Sequence, residues 1–246
     1  DWTDSIKLVA NAGFGFRAPN VFDLGTLGNR PGNRFNIPNA DLDSEHVVQI
    51  DIGLRRHAGD LRWEILAYAL EYDDRITSIG TGEVTPDGRD VVQSVNAARA
   101  DVRGIEASIE IDFGKSLTLT GAVNYAHGRQ RVQGAGAEPA DRIPPLNGWL
   151  RVAYADGGAW RFVGRLEFAD RQDRLSARDV RDVRIDPRGT AGWGVLGVRA
   201  ERELGAAWRV TLGVENLFDE RYRRHGSGLD APGRNIVLTL RGGWDY

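Results

Sequence analysis

Two kinds of connection alternate along this chain of 246 residues. Tight turns fall at Gly59, Gly114, Gly157 and Gly205, and a long polar stretch separates each from the next. Between connections, apolar residues recur at every second position. Period two means strands with one apolar and one polar face. In an up-and-down meander this alternation sends every short turn to one end of the sheet and every long loop to the other. Transmembrane barrels have that asymmetry. A soluble β-sandwich has no cause for it.

About ten strands follow from the pattern, most of about 9–12 residues, against about 5–6 for a soluble strand and about 9–11 for a tilted membrane-spanning one. They are expected over residues 5–16, 46–55, 61–72, 101–113, 117–125, 146–154, 160–168, 192–202, 208–215 and 235–246. The fourth shows the faces most clearly. Ile105, Ala107, Ile109, Ile111 and Phe113 oppose Gly104, Glu106, Ser108, Glu110 and Asp112. In the third, both Trp63/Ile65/Ala67 and Leu66/Tyr68/Leu70/Tyr72 qualify as the outer set. Residues 73–99 read as a long loop holding a small hairpin around Val84–Arg89. Pro144-Pro145 delays the sixth strand to Leu146.

The apolar parity carries aromatic residues at both ends. Phe113, Tyr154, Trp160, Trp208 and Tyr246 fall at the short-turn end, and Phe14, Tyr125 and Phe168 at the long-loop end. Two such rows suit the interfaces of a bilayer, where amphipathic rings settle. The opposite parity, with Glu106, Glu110, Asp112, Arg161, Arg165, Arg209 and Arg241, then faces a wet interior. No run approaches the roughly 20 apolar residues of a membrane-spanning helix. With no cysteine, disulfides and thiol chemistry are excluded. A formal net charge of −3 gives no field to draw nucleic acid. The expected fold is all-β: an antiparallel meander of long strands forming part of a transmembrane barrel.

Five short motifs occur in order. They are Phe16-Arg17-Ala18-Pro19-Asn20; Pro38-Asn39-Ala40-Asp41-Leu42 with Glu45; Asn96-Ala97 with Val102-Arg103-Gly104-Ile105-Glu106; Arg142-Ile143-Pro144-Pro145; and Asn216-Leu217-Phe218-Asp219 with Tyr222 and Pro232-Gly233-Arg234. Together they resemble the boxes of the TonB-dependent outer-membrane receptors. The second departs by one inserted residue and by Ile37 where the family has Asn. The resemblance implies a barrel of roughly 22 strands around a plug. Residues 1–246 would be its C-terminal portion, with the plug, the N-terminal strands and the TonB-contacting segment absent. It implies a non-enzymatic function in the outer membrane of a Gram-negative bacterium, the active uptake of a scarce nutrient, most of all a ferric siderophore. Implied partners are the TonB complex through the missing N-terminal region, outer-membrane lipid and lipopolysaccharide, and the barrel-assembly machinery, whose signal Tyr246 resembles as the true C-terminus. No cofactor and no nucleic-acid partner are implied.

Arginine suits carboxylate and phosphate recognition. Arg30, Arg34, Arg221, Arg223 and Arg224, with His225, lie in predicted external loops and are the candidate ligand contacts. No histidine falls between Asn20 and Ile37, where the family's haem receptors carry one. The carboxylates of 170–186 are interleaved with arginines, which opposes a calcium site. No catalytic or metal site is expected. Two alternatives keep the barrel: a ten-stranded protease of the omptin type, with His127 or His225 near Asp141 or Asp230, and a passive porin-like channel.

Overall fold

A computed structural model of the chain describes residues 5–30, 33–132, 134, 136–205 and 207–243. Its strands form one sheet. Ten of them follow one another in chain order: β1 (Ile6–Arg17), β4 (Glu45–Ala58), β5 (Leu61–Val84), β6 (Asp90–Phe113), β7 (Leu117–Val132), β9 (Asn147–Ala155), β10 (Trp160–Ala169), β11 (Trp193–Leu204), β12 (Trp208–Glu215) and β13 (Asn235–Gly242). All these neighbours pair antiparallel, as in β1–β4 and β12–β13. The ten expected strands are therefore present. The short turns fall at the expected glycines, which take φ of 61° at Gly59, 66° at Gly114, 77° at Gly157 and 66° at Gly205. A side chain there would be strained.

Most of the described large apolar residues are exposed and not gathered into a core. Val48, Ile50, Ile52 and Leu54 of β4 are exposed, as are Ile105 and Ile109 of β6, Val123 and Tyr125 of β7 and Leu166 of β10. They share one face, because register sets Ile52 beside Ala67, Ala67 beside Ile105 and Ile105 beside Tyr125. Burying one such side chain is worth roughly 1.5–3 kcal/mol. A face this apolar is stable against hydrocarbon, not water. On β5 the outer set is Trp63, Ile65 and Ala67, since Ile65 stands between Leu54 and Ala107.

The other face is polar and internally bonded. Asn11 donates to Asp51 at 3.0 Å. Arg62 pairs with Glu110 and Asp112. Arg165 lies over the Trp149 ring, 4.7 Å from its centroid. Tyr68 lies flat on Gly104, where a Cβ would fall 2.4 Å from the tyrosine Cζ.

One expected loop is mostly strand. β5 and β6 each run to 24 residues and meet in a turn closed by Thr85 N–H on Arg89 O at 2.9 Å. Register shifts after Tyr72 and Arg75, with Asp74 at φ 53°, absorb the irregular residues and let pairing resume over Ile76–Gly80. β7 also continues past Tyr125, last pairing at Val132 with Ala98. Beyond that point β3 (Arg34–Ile37) takes the vacated edge of β6, pairing parallel with Asp90–Gln93. β2 (Gly28–Arg30) and β8 (Ala137–Pro139) add to β3 and β7. Two helices of one turn each, α1 (Val21–Gly25) and α2 (Ala177–Arg181), lie in the long connections. Trp244 and Tyr246 lie outside the described residues.

Candidate functional site

The sequence motifs turn out to be fasteners. Arg17 at the end of β1 pairs with Glu45 at the start of β4, Nε to Oε2 2.7 Å, and with Asp23 at 2.6 Å. Asn20 caps α1, accepting from Phe22 N–H and Asp23 N–H while the Asp23 carboxylate accepts from Asn20 N–H. Asn96 donates to Asp43 O and Asp74 O and accepts from Asp43 N–H, tying the β3–β4 connection to β6. Arg142, at φ 56°, donates its N–H to Asp179 of α2 at 3.0 Å, and its side chain pairs with Asp182. Asn216 accepts from Glu220 N–H and donates to Pro232 O, closing the base of the 216–234 loop.

These ties hold the loops around a cleft of about 770 Å³ at the long-loop end. Its walls are the β2–β3 hairpin, the extension of β5 and β6, the end of β7 and α2. Arg30 and Arg34, paired across β2–β3, stand on one side, and Arg178 and Arg181 of α2 on another. The two helix residues are three apart, so they share a face. Burial pushes the Arg34 guanidinium below its ordinary value, and the nearby charges of Arg181, Arg178 and Arg30 push it further. Asp182 opposes this, and the carboxylates of Asp23, Glu83, Asp90, Glu138 and Asp141 line the same cleft, so the four arginines stand among counter-charges.

Asp141 sits on the cleft wall with a side chain 8% exposed. Arg178 lies 3.1 Å from it and Arg75 4.0 Å, and Gln130 donates to it at 2.9 Å. Burial alone would raise the Asp141 carboxyl. The Ser176 hydroxyl, the Gln130 amide and the two guanidinium groups outweigh it and hold the group below the usual carboxylate range.

Of the candidate residues from sequence, Arg30 and Arg34 line the cleft. The others lie apart, in the 216–234 loop. Arg223 pairs with Asp230 at 2.7 Å. Arg224 pairs with Glu167 at 2.9 Å and lies over the Trp193 ring. Arg221 is exposed. His225 is half-buried and shares a hydrogen bond of 2.9 Å with the Thr190 hydroxyl. Burial pushes its imidazole down, Arg142 adds to this, and Asp179 opposes it. Sequence reading passed over Arg178 and Arg181. Their signal was Ser176 as an N-cap before two arginines at helical spacing, hidden in a run scanned for calcium ligands. Among the described residues, none of the four protease pairings forms a hydrogen bond or ion pair: His127 partners Arg174, His225 partners Thr190, Asp141 partners Arg178 and Asp230 partners Arg223. Among the described residues, no three of His, Asp and Glu gather as a metal site.

A family model described as "TonB dependent receptor-like, beta-barrel" matches residues 1–217. The ferric enterobactin receptor PirA of Pseudomonas aeruginosa is 24% identical, over 92% of this chain and 33% of the relative. Among solved structures, the copper transporter OprC matches with a TM-score of 0.78 and 21% identity, over 98% of this chain and 37% of that one. The siderophore receptor PirA from Acinetobacter baumannii matches with a TM-score of 0.76 and 17% identity, over 98% and 39%. At these identities the likeness to solved structures establishes the fold. The chain spans about a third of the length of the curated relative.

Proposed function

The chain belongs to the TonB-dependent receptor β-barrel family, and from that premise we propose that it is the C-terminal portion of the barrel of an outer-membrane receptor that takes up a ferric siderophore. Uptake uses energy delivered by the TonB complex, which engages a segment outside this chain. The present residues supply barrel wall and external loops. One observation supports the choice of ligand: Arg30, Arg34, Arg178 and Arg181 converge on one cleft at the long-loop end, where exposed Arg30 and Arg181 offer guanidinium groups beside the carboxylates that share the lining. A ferric catecholate is a strongly anionic, planar-edged ligand that guanidinium groups suit. At 21% identity, the likeness to a copper transporter is read as shared fold.

The test is direct binding to the full-length receptor of three ligands: an anionic ferric catecholate, an uncharged ferric hydroxamate and cobalamin. The anionic complex is expected to bind tightest. Arg34→Ala with Arg181→Ala should weaken it about tenfold or more, given about 1.5–3 kcal/mol for a hydrogen bond to a charged group. Equal binding of the uncharged ligands, indifferent to both substitutions, would overturn the assignment.

A further inference from the structure

His225 lies in the 216–234 loop, apart from the cleft, yet the residues around it lead there through α2. Residues three apart share a face of a helix. Arg178 and Arg181 line the cleft. Asp179 and Asp182, on another face, both meet Arg142: Asp179 Oδ2 accepts its N–H at 3.0 Å, and Asp182 pairs with its guanidinium. The orientation of α2 about its axis therefore decides where the two cleft arginines stand.

Buried polar groups connect Asp179 to the cleft wall. Its N–H donates to the Ser176 Oγ at 3.0 Å. The Ser176 hydroxyl bonds in turn to Asp141, which lies 3.1 Å from Arg178. Ser176 is 0% exposed and Asp179 1%.

One end of this chain of bonds is open. Among the described residues, three buried side-chain polar atoms have no hydrogen-bond partner, and two of them are Asp179 Oδ1 and His225 Nε2. Leaving such atoms bare is costly. The opposite side of the imidazole is engaged, with Nδ1 2.9 Å from the Thr190 hydroxyl. Thr190 is itself bonded through both backbone groups to Gln172, so the ring is placed from the base of the β10–β11 connection. Gly228 of the same loop packs on Arg184, where a Cβ would fall 3.3 Å from the arginine Cδ. Burial pushes the imidazole down while the Asp179 charge pulls it up, so the carboxylate lies within electrostatic reach of the ring.

The two bare atoms are chemical complements. A carboxylate oxygen only accepts. A neutral imidazole whose Nδ1 accepts from the Thr190 hydroxyl carries its proton on Nε2. One water satisfies both, accepting from Nε2–H and donating to Oδ1.

We propose that His225 is a positioning residue for the cleft: through one buried water it anchors Asp179, and so fixes the orientation of α2 that presents Arg178 and Arg181. Contact with ligand falls to the arginines and not to the imidazole. The effect on affinity rests on the anion-binding reading of the cleft; the effect on α2 does not.

The test uses the full-length receptor, with an iron(III) tris-catecholate complex as ligand and with hydrogen exchange of residues 177–182 in its absence. His225→Asn keeps a polar group where Nδ1 stands and loses Nε2, whereas His225→Gln brings an amide N–H near the Nε2 position. His225→Asn should weaken binding about three- to tenfold and quicken exchange of 177–182. His225→Gln should keep both near the values of the unaltered receptor. In a receptor carrying Arg178→Gln and Arg181→Gln, His225→Asn should still quicken exchange but cost no further affinity, because the groups it positions are gone. Three results would overturn the proposal: equal losses in His225→Asn and His225→Gln, unaltered affinity in His225→Asn, or a full further loss of affinity in the background lacking both arginines. An unaltered receptor that binds the anionic complex no better than an uncharged ferric hydroxamate would count against the ligand reading instead. Exchange alone then decides: quickening confined to His225→Asn upholds the positioning role, and the same exchange in both variants overturns it.

Discussion

Arg17 and Glu45 face each other across the β1–β4 ladder, joined Nε to Oε2 at 2.7 Å, although the 27 residues of a long connection separate them. Glu45 is the hub of the contact. Its other oxygen accepts from Ile76 N–H at 2.7 Å, so one carboxylate ties β1 and β5 to β4. Asp23 also meets Arg17, but its remaining bond, to Asn20 N–H, is local. Glu45 is 14% exposed and Arg17 is 45%, so solvent screens the arginine end.

Glu45→Ala should therefore cost more than Asp23→Ala. Losing the carboxylate strands the Ile76 N–H and a charged partner, for about 1–3 kcal/mol. Asp23→Ala loses a screened pair and a cap contact, about 1 kcal/mol or less. Thermal midpoints of the two full-length variants, with limited proteolysis of residues 18–44, read the difference. Equal or reversed shifts would show that Glu45 is not the hub.

Gly104 should not tolerate a side chain. A Cβ there meets the Tyr68 ring and hydroxyl at 2.4 Å and Tyr125 O at 2.6 Å. Gly104→Ala is expected to destabilise by about 1–3 kcal/mol, the ordinary cost of overpacking. Tyr68→Ala in the same chain should recover only part of this, because the backbone oxygen stays. Full recovery would place the whole conflict in the ring. A double-mutant cycle on urea midpoints separates the two.

The strands were legible because period two states both the element and its faces. Ile105 through Phe113 fixed the outward side of β6 alone. The β5 faces stayed open until pairing set Ile65 between Leu54 and Ala107, since Leu66, Tyr68 and Leu70 are as apolar as their rivals. The extension of β5 and β6 was hidden by Asp73-Asp74, which reads as a loop and is accommodated by a register shift. Of the cleft, Arg30 and Arg34 were found as loop arginines, but nothing local links them to Arg178 and Arg181. That meeting depends on Asp179 accepting from Arg142 N–H and on β3 taking the edge of β6. The resemblance motifs marked the fasteners, not the contacts, which is why they said little about ligand.

Cleft binding should depend on salt. Arg30 and Arg181 are exposed, so their attraction for an anion is screened within roughly 8–10 Å at physiological ionic strength. Affinity for a ferric catecholate should fall several-fold between about 0.05 and 0.5 M sodium chloride. The slope should be shallower in Arg30→Gln with Arg181→Gln. Titrations at four salt concentrations give both slopes, and identical slopes would remove these two side chains from the contact.

Docking of the 216–234 loop should weaken as pH falls. Burial holds the His225 imidazole below its ordinary 6.5, so the undocked state binds the proton more readily. Stability is then fully present above about 6.5 and declines below it. At the cleft, apart from this loop, Asp141 gives a separate loss at lower pH. Its folded carboxyl is held below the usual 3.8, so its contribution is present above that value and disappears as pH falls through the depressed one. Hydrogen exchange of residues 222–231, corrected for intrinsic rates, should quicken between pH 7 and 5. His225→Asn should flatten that response, and an unchanged pH response in the variant would rule out the imidazole as its source.

The segment alone should not make a membrane barrel. Within the described residues β1 pairs only with β4 and β13 only with β12, so the sheet has two open edges. β13 has eight residues, exposed along nearly their whole length. About half of its backbone N–H and C=O groups point to the open side. Each unpaired group costs several kcal/mol in hydrocarbon, so this edge alone carries tens of kcal/mol. The outward face of Ile236, Leu238 and Leu240, at 68%, 72% and 62% exposed, is equally ill-suited to water. Residues 1–246 expressed alone should give β-rich aggregates without heat-modifiable mobility, whereas the full-length protein refolds into a form that resists SDS at room temperature. A stable, SDS-resistant product from residues 1–246 would mean that β1 and β13 can close on each other, and the portion-of-a-larger-barrel reading would fall.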